Sequence, residues 1–178
     1  TVMPIEVIRH ENLVSVIEPE ANILTIRGAF DPNYGSFEFR GSDQTWTEIS
    51  PIPLNQTNFS KYVELGEGGT ITFRKKGKYN LAFSAQLVKL TGGTHNVEIW
   101  LQQNGQPVAH SNTVVTISGS SNTALVTAWN WFIDAEANDY AQLYWWVDNT
   151  NTVKIDSRPT VDGRPEIPGV ILTVNQVG

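Results

Sequence analysis

The chain of 178 residues carries 12 Lys and Arg against 18 Asp and Glu, a net charge of −6, and no cysteine. This balance argues against a nucleic-acid partner, because binding phosphates needs clustered cations to replace released counterions, and it excludes a disulfide framework or a thiolate metal site. Charged residues are only 17% of the chain, below the usual roughly 25%, while six Trp, seven Phe and five Tyr favour strands in a length suited to one core with an appendage.

The first fifty residues are short β-prone pieces, IEVIRHENLVSVI and NILTIRGAF, separated by Glu18-Pro19-Glu20. DPNYGS and SPIP add turns and prolines that interrupt regular structure. FEFRGSDQTWTEI reads as a further strand pair. Residues 1–50 are therefore expected to form an attachment segment, as an extended β arm, a mini-sheet or a strand donated to a neighbour, ahead of one domain over 51–178. TVMPIEVIRHENLVSV lacks the basic start and long apolar stretch of a signal peptide, and no apolar run reaches the roughly 20 residues of a membrane span. A soluble chain with no membrane partner is expected.

From Asn55 onward, strand-like runs recur between turn signals with no sustained helical spacing, which points to an all-β sandwich or barrel. GGTITF is followed by RKKGK, whose Arg74, Lys75, Lys76 and Lys78 read as a solvated turn. GKYNLAFSAQL then places Tyr79, Leu81, Phe83, Ala85 and Leu87 on one face, and Lys78, Asn80, Ser84 and Gln86 on the other. NVEIWLQQ alternates Val97, Ile99 and Leu101 against Glu98, Trp100 and Gln102, and ends in Asn104-Gly105, the dipeptide best suited to a tight hairpin turn.

NTALVTAWNWFIDA sets Trp129, Trp131 and Ile133 on one face and Val126, Ala128, Asn130 and Phe132 on the other. With apolar side chains on both faces, this strand is either central or lies at a subunit contact. YAQLYWWVDN is again two-sided, with Leu143, Trp145 and Val147 against Tyr140, Tyr144 and Trp146. The proline-containing loop from Asp148 to Pro168 reads as an exposed excursion with one short strand at Thr152 to Ile155. GVILTVNQVG closes the chain, with Val170, Leu172 and Val174 inward.

SKYVELGEGGTITFRKKGKYNLAFSAQL, VEIWLQQNGQPV, AWNWFIDAEANDYAQLYWW and IPGVILTVNQV together resemble the C1q/TNF-like jelly-roll domains of tailed-bacteriophage virion proteins, over Asn58 to Val177. Where such domains often carry Gly-Asp before a late core strand, this chain has Asn138-Asp139-Tyr140, and Asn also tolerates positive φ. The resemblance implies a jelly-roll β-sandwich that associates as a homotrimer around an axis lined by apolar and aromatic side chains. Tyr79, Phe83, Trp129, Trp131, Tyr144, Trp145 and Trp146 are the expected core or trimer-contact aromatics. Each large aromatic buried is worth roughly 1.5–3 kcal/mol, and aromatics beyond what one sandwich can hold would be covered at subunit contacts.

Little in the sequence points to catalysis. His10, His95 and His110 fall in an arm, a turn and a loop without metal-binding spacing, and there is no G-x-S-x-G elbow. Asp134, Glu136 and Asp139 share one turn, and Asp148, Asp156 and Asp162 lie near the next loop; as a pair they could serve glycoside hydrolysis or calcium, but turn acids that aid solubility are the simpler reading. No cofactor and no metal is expected. Asn55-Gln-Thr and Asn58-Phe-Ser are short enough to be chance sequons. Trp100, on the polar face of its strand, is the candidate for stacking on a glycan.

The expectation is thus a non-enzymatic phage virion structural protein. It would be a homotrimer on the virion surface, decorating or cementing the head through contact with other virion proteins such as the major capsid protein. The alternative is a fibre-tip module that binds a receptor or host-surface glycan.

Overall fold

The computed structural model describes the strands Glu6–His10, Leu13–Ile17 and Leu24–Ile26 and every residue from 31 onward. The chain divides into two compact units, the first within Thr1–Pro32 and the second Asn33–Gly178. In the first unit, β1 (Glu6–His10), β2 (Leu13–Ile17) and β3 (Leu24–Ile26) form a three-stranded antiparallel sheet, with Val7 opposite Val16 and Ser15 opposite Thr25. Of the three forms expected for this segment, the backbone takes the mini-sheet.

The second unit runs through β4 (Tyr34–Phe39), β5 (Gln44–Thr45), β6 (Ser50–Pro51), β7 (Gln56–Lys61), β8 (Val63–Leu65), a 3-10 turn at Glu67–Gly69, β9 (Ile71–Phe73), β10 (Gly77–Lys89), β11 (Gly93–Gln103), β12 (Gln106–Pro107), β13 (Thr113–Gly119), β14 (Ala124–Ala135), β15 (Tyr140–Val147), β16 (Val153–Ile155) and β17 (Val170–Gln176). One sheet is ordered β5-β16-β10-β17-β4-β7 with β14 also on β10; the other is β12-β11-β15-β9-β8 with β13 on β11 and β6 on β15. The architecture is an all-β, two-sheet sandwich of jelly-roll type.

Long-range pairing moves the domain boundary. β4 lies beside β17, with Phe37 opposite Leu172, and β5 lies beside β16. The sandwich therefore starts at Asn33, ahead of the boundary expected at residue 50. For the same reason FEFRGSDQTWTEI is not a strand pair: its two strands sit in one sheet with β16, β10 and β17 between them.

The alternating patterns become the two inner faces. Tyr79, Leu81, Phe83, Ala85 and Leu87 of β10 are buried with Val97, Ile99 and Leu101 of β11, Leu143, Trp145 and Val147 of β15, and Val170, Leu172 and Val174 of β17. The loop after Asp148 contributes β16, whose Val153 and Ile155 are buried, so part of the expected excursion belongs to the core. The inward row of β10 ends on Lys89, which is fully buried and donates from Nζ to the carbonyls of Gly119 (2.8 Å) and Gly93. Its stem extends the apolar row while its ammonium ties together the turns that begin β11 and end β13.

The hairpin signal holds: Gln103 pairs with Gln106 across Asn104 (φ 51°) and Gly105 (φ 75°), both in the left-handed region. Asn138 adopts φ 71° in the turn before β15. Asp139 joins the two turns, since its carboxylate accepts from the Glu136 N–H (2.9 Å), Gln103 Nε2 (3.0 Å) and Asn104 Nδ2 (2.8 Å). The Glu136 N–H first, and the Asn104 amide next, hold this carboxyl below its ordinary value of 3.8.

A folded-state pKa below the unfolded one stabilises the fold above the unfolded pKa, and that contribution is lost as pH falls through the folded value. Asp139→Ala is expected to cost about 1–2 kcal/mol at pH 7. In urea melts, the gap between variant and wild type should close as the pH is lowered below about 4; a gap independent of pH would show that the ionised carboxylate is not what joins the turns.

Candidate functional site

The aromatics fall into three groups. Tyr79 and Trp145 are fully buried inside the sandwich. The Tyr79 hydroxyl donates to the Lys75 carbonyl (2.6 Å) and accepts from Asn33 Nδ2 (2.8 Å), and its ring packs on Phe73 at 4.6 Å. Phe83 is stacked on Trp131 at 5.0 Å and meets Trp129 edge-on at 4.4 Å, forming an inward cluster in which Trp129 remains half-buried. Tyr144 and Trp146 point to the other side of β15 and are half-buried on the outer face of the second sheet. One chain thus buries Tyr79, Phe83, Trp131 and Trp145 by itself, so they are core.

What remains exposed marks the first candidate surface. Among the described residues β14 pairs with β10 alone, so this 12-residue strand is a sheet edge, and of the two positions expected for it the central one is ruled out. Its outward Val126 and Phe132 are 56% and 67% exposed. β13, the corresponding edge of the second sheet, exposes Val114 at 59%. Beyond the Lys78–Asp134 ion pair (3.0 Å), the outward positions of β14, β10 and β17 are uncharged: Ala128 and Asn130, Asn80 to Gln86, then Ile171, Thr173 and Asn175. Asn130 and Asn80 hydrogen-bond side chain to side chain at 2.9 Å. A long unpaired edge beside an uncharged face invites strand-edge or face-to-face association.

The second candidate is a groove of about 490 Å³ on the outer face of β11 and β15. Trp100 and Trp146 line its floor, Glu98 and Gln102 flank Trp100, and Asn112 and His110 stand on the wall. Trp100 lies 5.9 Å from the Tyr144 ring, and Trp146 meets Trp46 edge-on at 6.4 Å. Asn112 Nδ2 donates to Glu98 at 2.6 Å. The wall is fixed from inside: the Leu101 N–H donates to Ser111 Oγ (3.0 Å), Ser111 Oγ donates to the Val108 carbonyl (2.8 Å), and the Trp131 indole donates to the Ser111 carbonyl (2.8 Å). Trp100 thus lines a groove together with His110, Asn112 and Trp146, which the alternation of β11 alone does not reveal.

The acidic residues are engaged one by one. Asp134 pairs with Lys78, and Glu136 with Lys76 at 2.6 Å. Asp156 sits between Lys154 (2.7 Å) and Arg158 (2.6 Å); burial pushes its carboxyl up, but these two cations outweigh that and hold it low. Arg74 pairs with Glu64, and Lys75 lies 3.7 Å over the Tyr62 ring, so the basic cluster is a set of local contacts. His95 lies in β11 rather than in the expected turn, buried, with Nδ1 3.1 Å from Asp148 and Nε2 3.0 Å from Thr91 Oγ1. The side chain of His10 lies outside the described residues. Asn55 and Asn58 are bonded to Arg40 and Glu38. Among the described residues no group of three His, Cys, Asp or Glu is placed to hold a metal ion, and no helix is long and apolar enough to cross a membrane.

No protein-family model and no curated protein matches the sequence. Solved structures do match the fold. The globular domain of zebrafish Complement 1qA protein is similar at 13% identity and TM-score 0.55, over 83% of this chain and 98% of that one. Murine APRIL is similar at 9% identity and TM-score 0.52 in its pH 5.0 crystal structure, and at 8% and 0.54 at pH 8.0, each over 83% of this chain and 100% of that one. At such identities the likeness establishes a C1q/TNF-like jelly-roll fold.

Ser111→Ala leaves the buried Leu101 N–H without its acceptor and frees the groove wall. A stability loss of about 1–3 kcal/mol is expected, with faster amide hydrogen exchange at Val108 to Asn112 and unchanged protection in β17. Unchanged exchange at the wall would show that Ser111 does not hold it.

Proposed function

We propose that the chain is a non-enzymatic assembly module, a homotrimer of jelly rolls on the surface of a bacteriophage particle. It decorates or cements the head by contact with virion proteins such as the major capsid protein. The observation that carries this reading is the unpaired 12-residue edge of β14, with Val126 and Phe132 exposed beside an uncharged face. Covering one such Phe is worth roughly 1.5–3 kcal/mol. A second copy of the chain offers the same uncharged surface in return. The number three, and the phage setting, come from the resemblance of the strand segments to trimeric C1q/TNF-like virion domains, to which the likeness to complement 1qA and APRIL adds support for the fold.

The mechanism is mechanical. Burial of the β14 face holds the subunits, and the separate unit within Thr1–Pro32 serves as the attachment element. The groove around Trp100 favours a second reading, a receptor-binding module at a fibre tip. Groove and contact lie on opposite faces of the sandwich, so one trimer accommodates both.

Light scattering on the purified chain should give a mass near three times 19.8 kDa; a monomer would sink the assembly reading. Phe132→Asp combined with Val126→Asp should yield folded monomers with an unchanged β spectrum. Deleting residues 1–32, which leaves every strand of the sandwich in place, should keep the trimer and abolish attachment to particles; particles still decorated by the shortened chain would remove the attachment role.

A further inference from the structure

We infer that the groove on the outer face of β11 and β15 binds an uncharged, hexose-containing oligosaccharide, with one sugar ring lying flat on the Trp100 indole. This deepens the receptor-binding reading by naming its ligand class, and does not depend on the number of subunits. The volume of about 490 Å³ falls within the roughly 300–1,000 Å³ of small-ligand sites.

The chemistry of the lining selects the ligand. A sugar ring has an apolar C–H face and a rim of hydroxyls, and the groove supplies the complement of each. Trp100 and Trp146 form an aromatic floor, and each is flanked by another ring, Tyr144 and Trp46, so the floor is set before a ligand arrives. Glu98 is a carboxylate with acceptor positions beyond the one taken by Asn112. Among the described residues, the Gln102 and His110 side chains have no hydrogen-bond partner within the chain, so their donors and acceptors are available to hydroxyls.

Other ligand classes fit less well. No Lys or Arg lines the groove, and Glu98 would repel a carboxylate or sulfate, which argues against an acidic glycan. A nucleotide could stack on Trp100 but would bring phosphate close to the Glu98 carboxylate, with no Lys or Arg in the lining to receive it. A peptide added as an extra strand needs a free strand edge; here β11 is paired with β15 on one side and with β12 and β13 on the other, and β15 is further paired with β6 and β9. Preorganisation of the wall by Ser111 and Trp131 lowers the ordering cost of binding.

The test is isothermal titration of the full-length chain with neutral trisaccharides built on glucose, N-acetylglucosamine, galactose and mannose, and with 3′-sialyllactose as the acidic control. Saturable binding of at least one neutral trisaccharide is expected, with Kd on the order of 0.1–1 mM. Trp100→Ala should weaken it about tenfold or more and Trp100→Phe by less. Gln102→Ala and Asn112→Ala, which leave the aromatic floor intact, should each weaken it about threefold or more. These two carry the test if Trp100→Ala unfolds, as judged by its melting temperature. Binding unchanged by every one of these variants overturns the assignment. Binding of sialyllactose alone, or no saturable binding of any saccharide, also overturns it, and neither result removes the receptor reading, which is not confined to saccharides. Light scattering on the same samples reports the trimer separately, so failure of the groove cannot be mistaken for failure of assembly.

Discussion

A strand has two faces, and in a two-sheet sandwich only one of them is inside. The long inner strands of this sandwich answer to that constraint. β10 shows it most clearly, because it is paired along both edges, with β14 on one side and with β17 and β16 on the other, so the register of three strands depends on it. Its inward row from Tyr79 to Leu87 is closed off from solvent. Its outward row is then left with short uncharged side chains, from Asn80 to Gln86, at the centre of a face extended by β14 and β17.

The same constraint explains what could be read before the structure and what could not. Inward rows such as Val97, Ile99 and Leu101 are written locally, residue by residue, and periodicity finds them. Strand order is a long-range property. That β4 lies beside β17 rather than next to β5 depends on residues more than a hundred positions apart, which no local pattern contains, and the domain boundary moved for that reason. Lys89 was legible in principle, since parity carried two residues past Leu87 puts it inside; its charge argued the other way, and only the carbonyls of Gly93 and Gly119 reconcile the two. The glycines before His95 read as a turn, yet the strand already begins at Gly93.

The two candidate surfaces differ in the same way. Trp100 was visible as an aromatic on a polar face, yet the groove around it needs a wall from the segment following the Asn104-Gly105 hairpin and a floor from β15. The β14 surface was partly visible as a strand apolar on both faces. The strand pairing makes this strand an edge, and the core satisfies Trp131 and Ile133 inside but leaves Val126 and Phe132 exposed. The surplus aromatic content therefore resolves into a core that one chain completes and a smaller outward set. That set includes Phe132 on one face and Trp100, Tyr144 and Trp146 on the other, with Tyr34, Phe59 and Tyr62 exposed at β4, β7 and the junction to β8.

The Asn104-Gly105 turn bears on how the protein ages. Asparagine followed by glycine is the pair most prone to spontaneous deamidation, because the glycine nitrogen can reach the side-chain carbonyl carbon and close a succinimide. Here the Asn104 amide is held on both sides, donating to Asp139 at 2.8 Å and accepting from the Tyr140 N–H at 3.0 Å. Cyclisation would have to break both contacts first, so the geometry that shapes the hairpin also slows its chemical decay. The working lifetime of that turn is thus governed by a carboxylate 35 residues further along.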